Sequence, residues 1–239
     1  MQTAIIIGVG PVLGLGAQLC KRFAGLGLHV FVAGRTREKL DKVVSMIEAD
    51  GNRASAHVAD AANEADVIRL FDEAVAAGPL SVGIYNAGNN TPGRIVDMEA
   101  SYFENSWRTG CYGGFLFARE TVKRMRGSGG TLLFTGASAS LRGRAGFGAF
   151  NSSKGALRNL AQALAKECGP ENIHVGHVIV DGAINGEKIR TRRPEIAERL
   201  GDEGMIGIDG IVDAYEFLYR QSASAWTFEV DLRTSIETW

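Results

Sequence analysis

Seven apolar runs of strand length recur along the chain, at 4–9, 29–34, 54–59, 81–86, 131–136, 174–180 and 226–232. Most are nearly unbroken by charge, as in "AIIIGV" and "TLLFTG", which suits strands buried on both faces. Between them, apolar residues return at three- and four-residue spacing over Leu15–Gly25, Arg37–Ala49, Asn63–Ala77, Tyr102–Met125, Ser152–Cys168 and Ile208–Tyr219, which predicts helices. The fifth of these has a clear stop in Gly169-Pro170. Strand and helix alternate throughout, so the expected fold is α/β. It is a Rossmann-like, doubly wound sheet of about seven parallel strands with helices on both faces. The stretch 183–207 fits neither period and reads as a mobile loop with a short helix. In a sheet of this type it lies past the carboxyl end of a strand, where a substrate would bind.

Composition adds bounds. A chain of 239 residues, 45% hydrophobic, fits one domain over 1–239 with a substantial core. Charged residues make up 22% and the net charge is −1, so no polyanion-binding surface is implied and nucleic acid is not an expected partner. No apolar run is long enough to cross a bilayer, no basic leader precedes the first one, and the three cysteines are unpaired in spacing; a cytoplasmic protein is expected. Glycine is abundant, 31 residues against 5 prolines, and falls at the ends of the apolar runs, where turns belong.

One such turn is "IIIGVGPVLGLGAQL", with glycines at 8, 10, 14 and 16 between a strand and a helix. Small residues there leave room for a pyrophosphate against the helix N-terminus. The spacing departs from GxGxxG and reads GxxxGxG from Gly10. The next strand ends in Gly34-Arg35, where an NAD-binding protein usually has a carboxylate for the ribose 2′-hydroxyl. A guanidinium suits a 2′-phosphate, so NADP(H) is expected over NAD(H), with Thr36 as a second phosphate ligand.

In these residues the chain resembles the short-chain dehydrogenase/reductase family, and the resemblance extends over nearly its whole length. Asp60 in "VADAAN", "YNAG" at 85–88, "GASAS" at 136–140, Lys154 and the last helix and strand all fall where that family has its motifs. The resemblance implies a nicotinamide cofactor held by Gly10, Gly14, Leu15, Gly16, Arg35, Asp60, Ala61, Asn86, Ala87, Gly88, Lys154, Gly182 and Ile184. It also implies a small-molecule substrate and a homodimer or homotetramer built on the helix after Lys154 and the 102–125 helix, whose Phe103, Trp107, Cys111 and Phe115 form an apolar stripe.

The catalytic positions depart from the family. Its tyrosine, four residues before the lysine, is Phe150 here, and the longer spacing used by some enoyl reductases gives Phe147. Its serine falls at Ala137, with Ser138 next to it and Ser140 further on. Its helical asparagine falls at Gly110, and its Pro-Gly becomes Asp181-Gly182, which would bring a carboxylate to the rim. The candidate catalytic set is therefore Lys154 and Ser138, with Phe150 in the place of the proton donor. Two functions follow: an NADP(H)-dependent oxidoreductase with a non-standard site, or a catalytically inactive NADP(H)-binding sensor or assembly protein. A hydrolase is set aside because GxSxG would need glycine at Ser140. No metal site is expected, since His174 and His177 are three apart on a strand and so face opposite ways, and His29 and His57 also read as strand residues. Arg142, Arg144, Arg190, Arg192 and Arg193 could line a pocket for an anionic substrate.

Overall fold

The computed structural model describes residues 1–88 and 90–237. Its seven strands, all parallel, form one sheet. They are β1 (Thr3–Ile7), β2 (His29–Gly34), β3 (Ala54–Val58), β4 (Leu80–Tyr85), β5 (Gly130–Thr135), β6 (Ile173–Val180) and β7 (Glu229–Leu232), in the spatial order β3-β2-β1-β4-β5-β6-β7. The order reverses beside β1, and the crevice at the carboxyl ends of β1 and β4 is where such sheets take ligands.

Alternation along each strand divides the core between two faces. Ala4 and Ile6 pack with Leu19, Phe23, Leu40, Ile47, Tyr215 and Leu218 of α1 (Leu15–Gly25), α2 (Arg37–Ala49) and α9 (Ile208–Arg220). Ile5 and Ile7 pack with Leu70, Phe71, Phe117 and Leu157 of α3 (Glu64–Ala77), α5 (Gly113–Met125) and α6 (Gly148–Cys168). Each of these large side chains, fully buried, contributes roughly 1.5–3 kcal/mol of transfer free energy. Phe71 and Phe117 meet edge to face at 5.0 Å, joining α3 to α5.

Several boundaries differ from the sequence expectation. The helix expected over 102–125 is α4 (Ala100–Trp107), a π turn (Arg108–Tyr112) and α5 in one continuous rod. The π turn inserts one residue and shifts the apolar stripe: Cys111 turns inward and is buried, while Phe103, Trp107 and Phe115 stay about 40% exposed. Helix α6 starts at Gly148 rather than Ser152, so Phe150 and Lys154 lie in its first two turns. Strand β7 starts at Glu229 rather than Trp226, because Trp226 leaves the ladder to stack on His174, their rings 5.0 Å apart. The segment 183–207 holds two short helices, not one, α7 (Glu187–Arg192) and α8 (Pro194–Leu200). The break falls at Arg193, where the proline that follows disfavours helical backbone. Among the described residues no helix is long and apolar enough to cross a membrane.

Candidate functional site

The glycine-rich turn leaves β1 at Gly8, whose φ of +91° only glycine adopts freely. A Cβ there would lie 2.4 Å from the Ala87 amide nitrogen, so the turn packs directly on the backbone that follows β4. Gly8 and Val9 both donate their N–H to the Ala33 carbonyl at 3.0 Å, fixing the turn to β2 as well. Gly16 sits tightly under Asn86 and Val9, whereas nothing lies within 4 Å of a Cβ built on Gly10. The turn thus has a packed floor and an open mouth. Helix α1 begins there with Gly14 at its N-cap, no side-chain cap and no acidic residue in its first turn. Its N–H groups and the positive end of its dipole are left for an anion.

Asn86 ties three strand ends together. Its Nδ2 donates to the Gly8 carbonyl at 3.2 Å, which turns Oδ1 toward Thr135, whose hydroxyl donates to it at 2.9 Å. Thr135 has spent its one proton, so the Tyr215 hydroxyl, 2.6 Å away, donates to Thr135 Oγ1. The Thr135 carbonyl in turn accepts from Lys154 Nζ at 2.7 Å. Lys154 is buried, and burial pushes its pKa down to about 8. A Cβ on Gly88 would come within 3.2 Å of Nζ, so a larger residue there would press on the lysine tip. Lys154, Asn86, Ala87 and Gly88, distant in sequence, therefore converge on one spot.

On the β2 side, Arg35 and Asp60 line a cavity of about 530 Å³ together with Asn63, Asn105, Arg108 and Thr109. Asp60 is fixed by accepting from the Ala62 N–H at 2.9 Å, while Asp66 accepts from the Asp60 N–H at 3.0 Å. Thr36, exposed, is the N-cap residue of α2, and its hydroxyl caps no N–H. Gly182, with φ +156°, opens the turn after β6, and Ile184 then bridges Ile206.

The residues around Phe150 are arranged differently from the nucleotide side. Phe150 is half-buried in α6, and its carbonyl accepts from Ser153 Oγ at 3.0 Å. Gly110, in the π turn, faces that serine: a Cβ on it would lie 2.5 Å from Ser153 Oγ, so no larger side chain fits there unless Ser153 moves. Ser140 Oγ accepts from the Ala137 N–H at 3.2 Å. Ser138 is half-buried and its hydroxyl has no protein partner among the described residues, which separates the two candidate serines. Four of the five tyrosine hydroxyls are engaged elsewhere: Tyr85 with the Thr109 carbonyl, Tyr102 with the Pro92 carbonyl, Tyr215 with Thr135 and Tyr219 with Ser81. The fifth, Tyr112, stacks beside Trp107 and Phe115. None takes the place of a phenol at position 150.

Asp181 corrects an expectation. Its carboxylate is not on the rim but buried, held by Arg142 at 3.1 Å and Arg233 at 3.5 Å. The reason is the adjoining strand end, where Asp181 N–H donates to the Leu232 carbonyl and brings Arg233 alongside. The arginines proposed for an anionic substrate do not form one pocket. Arg142 is held by Asp181, Arg190 by Asn185 and Asp202, and Arg193 by Glu195, while Arg144 lies over the Phe147 ring. The histidines also go separate ways. His177 is buried against Glu229 and pushed down to about 4 by desolvation, His174 bonds the Thr227 carbonyl, His57 bonds Glu73 and His29 bonds Ser55. Among the described residues no three His, Cys, Asp or Glu side chains converge as metal ligands.

A contact absent from the sequence reading closes the site. The Glu187 N–H, in the first turn of α7, donates to the Leu13 carbonyl of the glycine-rich turn at 2.9 Å. The segment after β6 therefore lies on the glycine-rich turn. Only the absence of a side chain at Gly186 could have signalled it: a Cβ there would stand 2.8 Å from that same oxygen.

Known proteins bear out this architecture. A short-chain dehydrogenase from Rhodopseudomonas palustris is 38% identical, with alignment over 97% of this chain and 98% of that one and a TM-score of 0.83. An alcohol dehydrogenase from Thermococcus sibiricus, solved with 5-hydroxy-NADP, shares the fold at a TM-score of 0.86 with 18% identity, over 100% and 98% of the two chains. A versicolorin reductase of Emericella nidulans is 31% identical over 185 residues, 77% of this chain and 69% of its own length. Residues 2–195 match the short chain dehydrogenase family as a whole, and with these relatives and this site the chain belongs to that family.

Proposed function

We propose that the protein is an NADP(H)-dependent oxidoreductase that moves a hydride between the nicotinamide and a small-molecule substrate without a tyrosine phenol. The observation that carries this reading is the convergence of Lys154 with Asn86, Ala87 and Gly88 beside an open glycine-rich turn. The residues present fit a dinucleotide. The uncapped start of α1, with Gly10, Gly14, Leu15 and Gly16, suits a pyrophosphate, and Arg35 and Thr36 suit a 2′-phosphate. In this reading Asp60 and Ala61 would face the adenine, Lys154 and 86–88 the nicotinamide ribose, and Gly182 and Ile184 the nicotinamide beyond it. When bound, the cofactor supplies or accepts the hydride.

The remaining chemistry is proton delivery. Losing a general acid costs about 10²–10⁴ in rate, or about 3–5 kcal/mol, which slows carbonyl reduction without abolishing it. Lys154, with a pKa of about 8, carries protons near neutrality and can relay one through water. Ser138, whose hydroxyl is uncommitted, can hold the substrate oxygen. Asp181, locked between two arginines, has no such part. An acceptor such as a C=C or C=N bond would depend less on a phenol.

A second reading, a silent NADP(H) binder, draws on Phe150 and on the tight packing of Gly110 against Ser153. One assay separates the two: NADPH with a panel of ketones, enones and imines, followed by nicotinamide absorbance. Acceptor-dependent loss supports the oxidoreductase; tight binding with no loss for any acceptor supports the binder. The exposed Phe103, Trp107 and Phe115 further support a homodimer or homotetramer.

A further inference from the structure

The contact between α7 and the glycine-rich turn has a consequence for charge. Glu187 N–H on the Leu13 carbonyl at 2.9 Å sets the first turn of α7 against residue 13. The end of β2 is pressed on the same turn from the other side, where a Cβ on Gly34 would lie 2.6 Å from the Val9 carbonyl oxygen. Lys188 follows Glu187 and Arg35 follows Gly34, so both cations are carried by backbone that touches this one turn. The electrostatics agree with that placement. Although Lys188 as a residue is exposed, its ammonium is held below the ordinary lysine range, first by desolvation and then by Arg192, Arg35 and Lys39.

Lys188 is thus acted on by Arg192 of its own helix and by Arg35 and Lys39 from the end of β2 and the start of α2, and none of the four has a carboxylate partner among the described residues. Their neighbours do: Arg37 pairs with Asp41, Arg190 with Asp202 and Arg193 with Glu195. Like charges left together without a counter-ion repel, and an anion between them would turn that repulsion into attraction.

We propose that this anion is the 2′-phosphate of the cofactor, gripped by Arg35 and Lys39 on one side and by Lys188 and Arg192 on the other, so that NADP(H) but not NAD(H) fastens the segment 183–207 over the phosphate loop. The inference rests on the NADP(H) reading and adds that the substrate-side segment itself reads the 2′-phosphate. Lys188 is then a specificity-determining residue carried by the segment that covers the substrate region. NAD(H), which lacks that phosphate, leaves the cations repelling and the segment held by the backbone contact.

The test uses the full chain and two readouts besides turnover. Binding of NADPH and NADH is measured for wild type, Lys188→Ala and Arg35→Ala; amide hydrogen exchange over 186–193 is followed with saturating 2′,5′-ADP or 5′-ADP. Lys188→Ala should weaken NADPH roughly tenfold and leave NADH unchanged, the loss expected for one charge-assisted contact. In wild type, 2′,5′-ADP should slow exchange over 186–193 and 5′-ADP should not; in Lys188→Ala the difference should vanish. If Arg35→Ala abolishes the NADPH preference while Lys188→Ala changes neither affinity nor exchange, the clamp is wrong and the NADP(H) reading stands. If wild type binds NADPH and NADH equally, both fall.

Discussion

The carboxyl edge of the sheet has two halves built by different means. In the half around Gly8, Gly16, Asn86 and Gly88, glycines packed on backbone set the shape and the Asn86 and Lys154 side chains tie the strand ends together; a side chain added at Gly8 or Gly16 would strike neighbouring atoms at 3.0 Å or less. On the substrate side, around Ser138, Phe150, Ser153 and Asp181, side chains make the contacts: Ser153 bonds the Phe150 carbonyl, and Arg142 bonds Asp181. A site made from backbone shape is recognised by its spacing and tolerates little change. A site made from side chains can keep its frame while its chemistry alters, and Phe150 in the first turn of an otherwise intact α6 is such a case.

The sharpest way to test that contrast is Gly8→Val. It meets both a positive φ and a backbone contact of 2.4 Å, and should cost about 4 kcal/mol or more, with loss of cooperative unfolding in urea. Next in size is Phe150→Tyr, on the substrate side, where the frame should accept the change. If the frame is intact, carbonyl reduction with NADPH should rise by about 10²–10⁴ with little change in midpoint of unfolding. No gain would mean that the missing phenol is not what limits the chemistry.

Lys154 belongs to both halves, and Lys154→Met separates its roles. Cofactor affinity should fall at least tenfold, while the apo protein keeps or gains stability. The sign follows from linkage. The folded-state pKa of about 8 lies below the ordinary 10.5, so between those values the folded protein binds fewer protons than the unfolded chain. Stability from this group therefore rises with pH through that window and is lowest below pH 8, by at most roughly 3.4 kcal/mol at 1.36 kcal/mol per unit. Wild type should show the rise in denaturant titrations between pH 8 and 10.5, and Lys154→Met should lack it. The smallest effect on the fold is expected from Trp107→Asp, on the exposed face of α4: stability within about 0.5 kcal/mol, but a lower oligomer by light scattering if that face joins subunits.

Much of this was legible in the chain. The helices Leu15–Gly25 and Arg37–Ala49 and the strand His29–Gly34 fall at the expected bounds, because local period and clear end signals decide them. The start of α6 was missed by four residues: "GAFN" begins with glycine and no side chain caps it, so the sequence offers no start signal. The π turn was missed because it changes the helical register without any residue type announcing it. The extra strand residues at 226–228 were lost to a stacking contact with His174, which lies more than fifty positions away.

By itself the sequence determined the alternation of strand and helix, the open glycine-rich turn after β1, the basic residue after β2 and the lysine in α6 whose neighbour one turn back has no hydroxyl. These are properties of single residues and short periods, which act through backbone geometry and burial along one element. Only the tertiary structure decided that Asp181 is buried under two arginines, that Ser153 stands against Gly110, and that the first turn of α7, next to Lys188, rests on Leu13. Those relations join residues from elements that meet only when the sheet is assembled, and a charge or a hydroxyl has no fixed partner until they do.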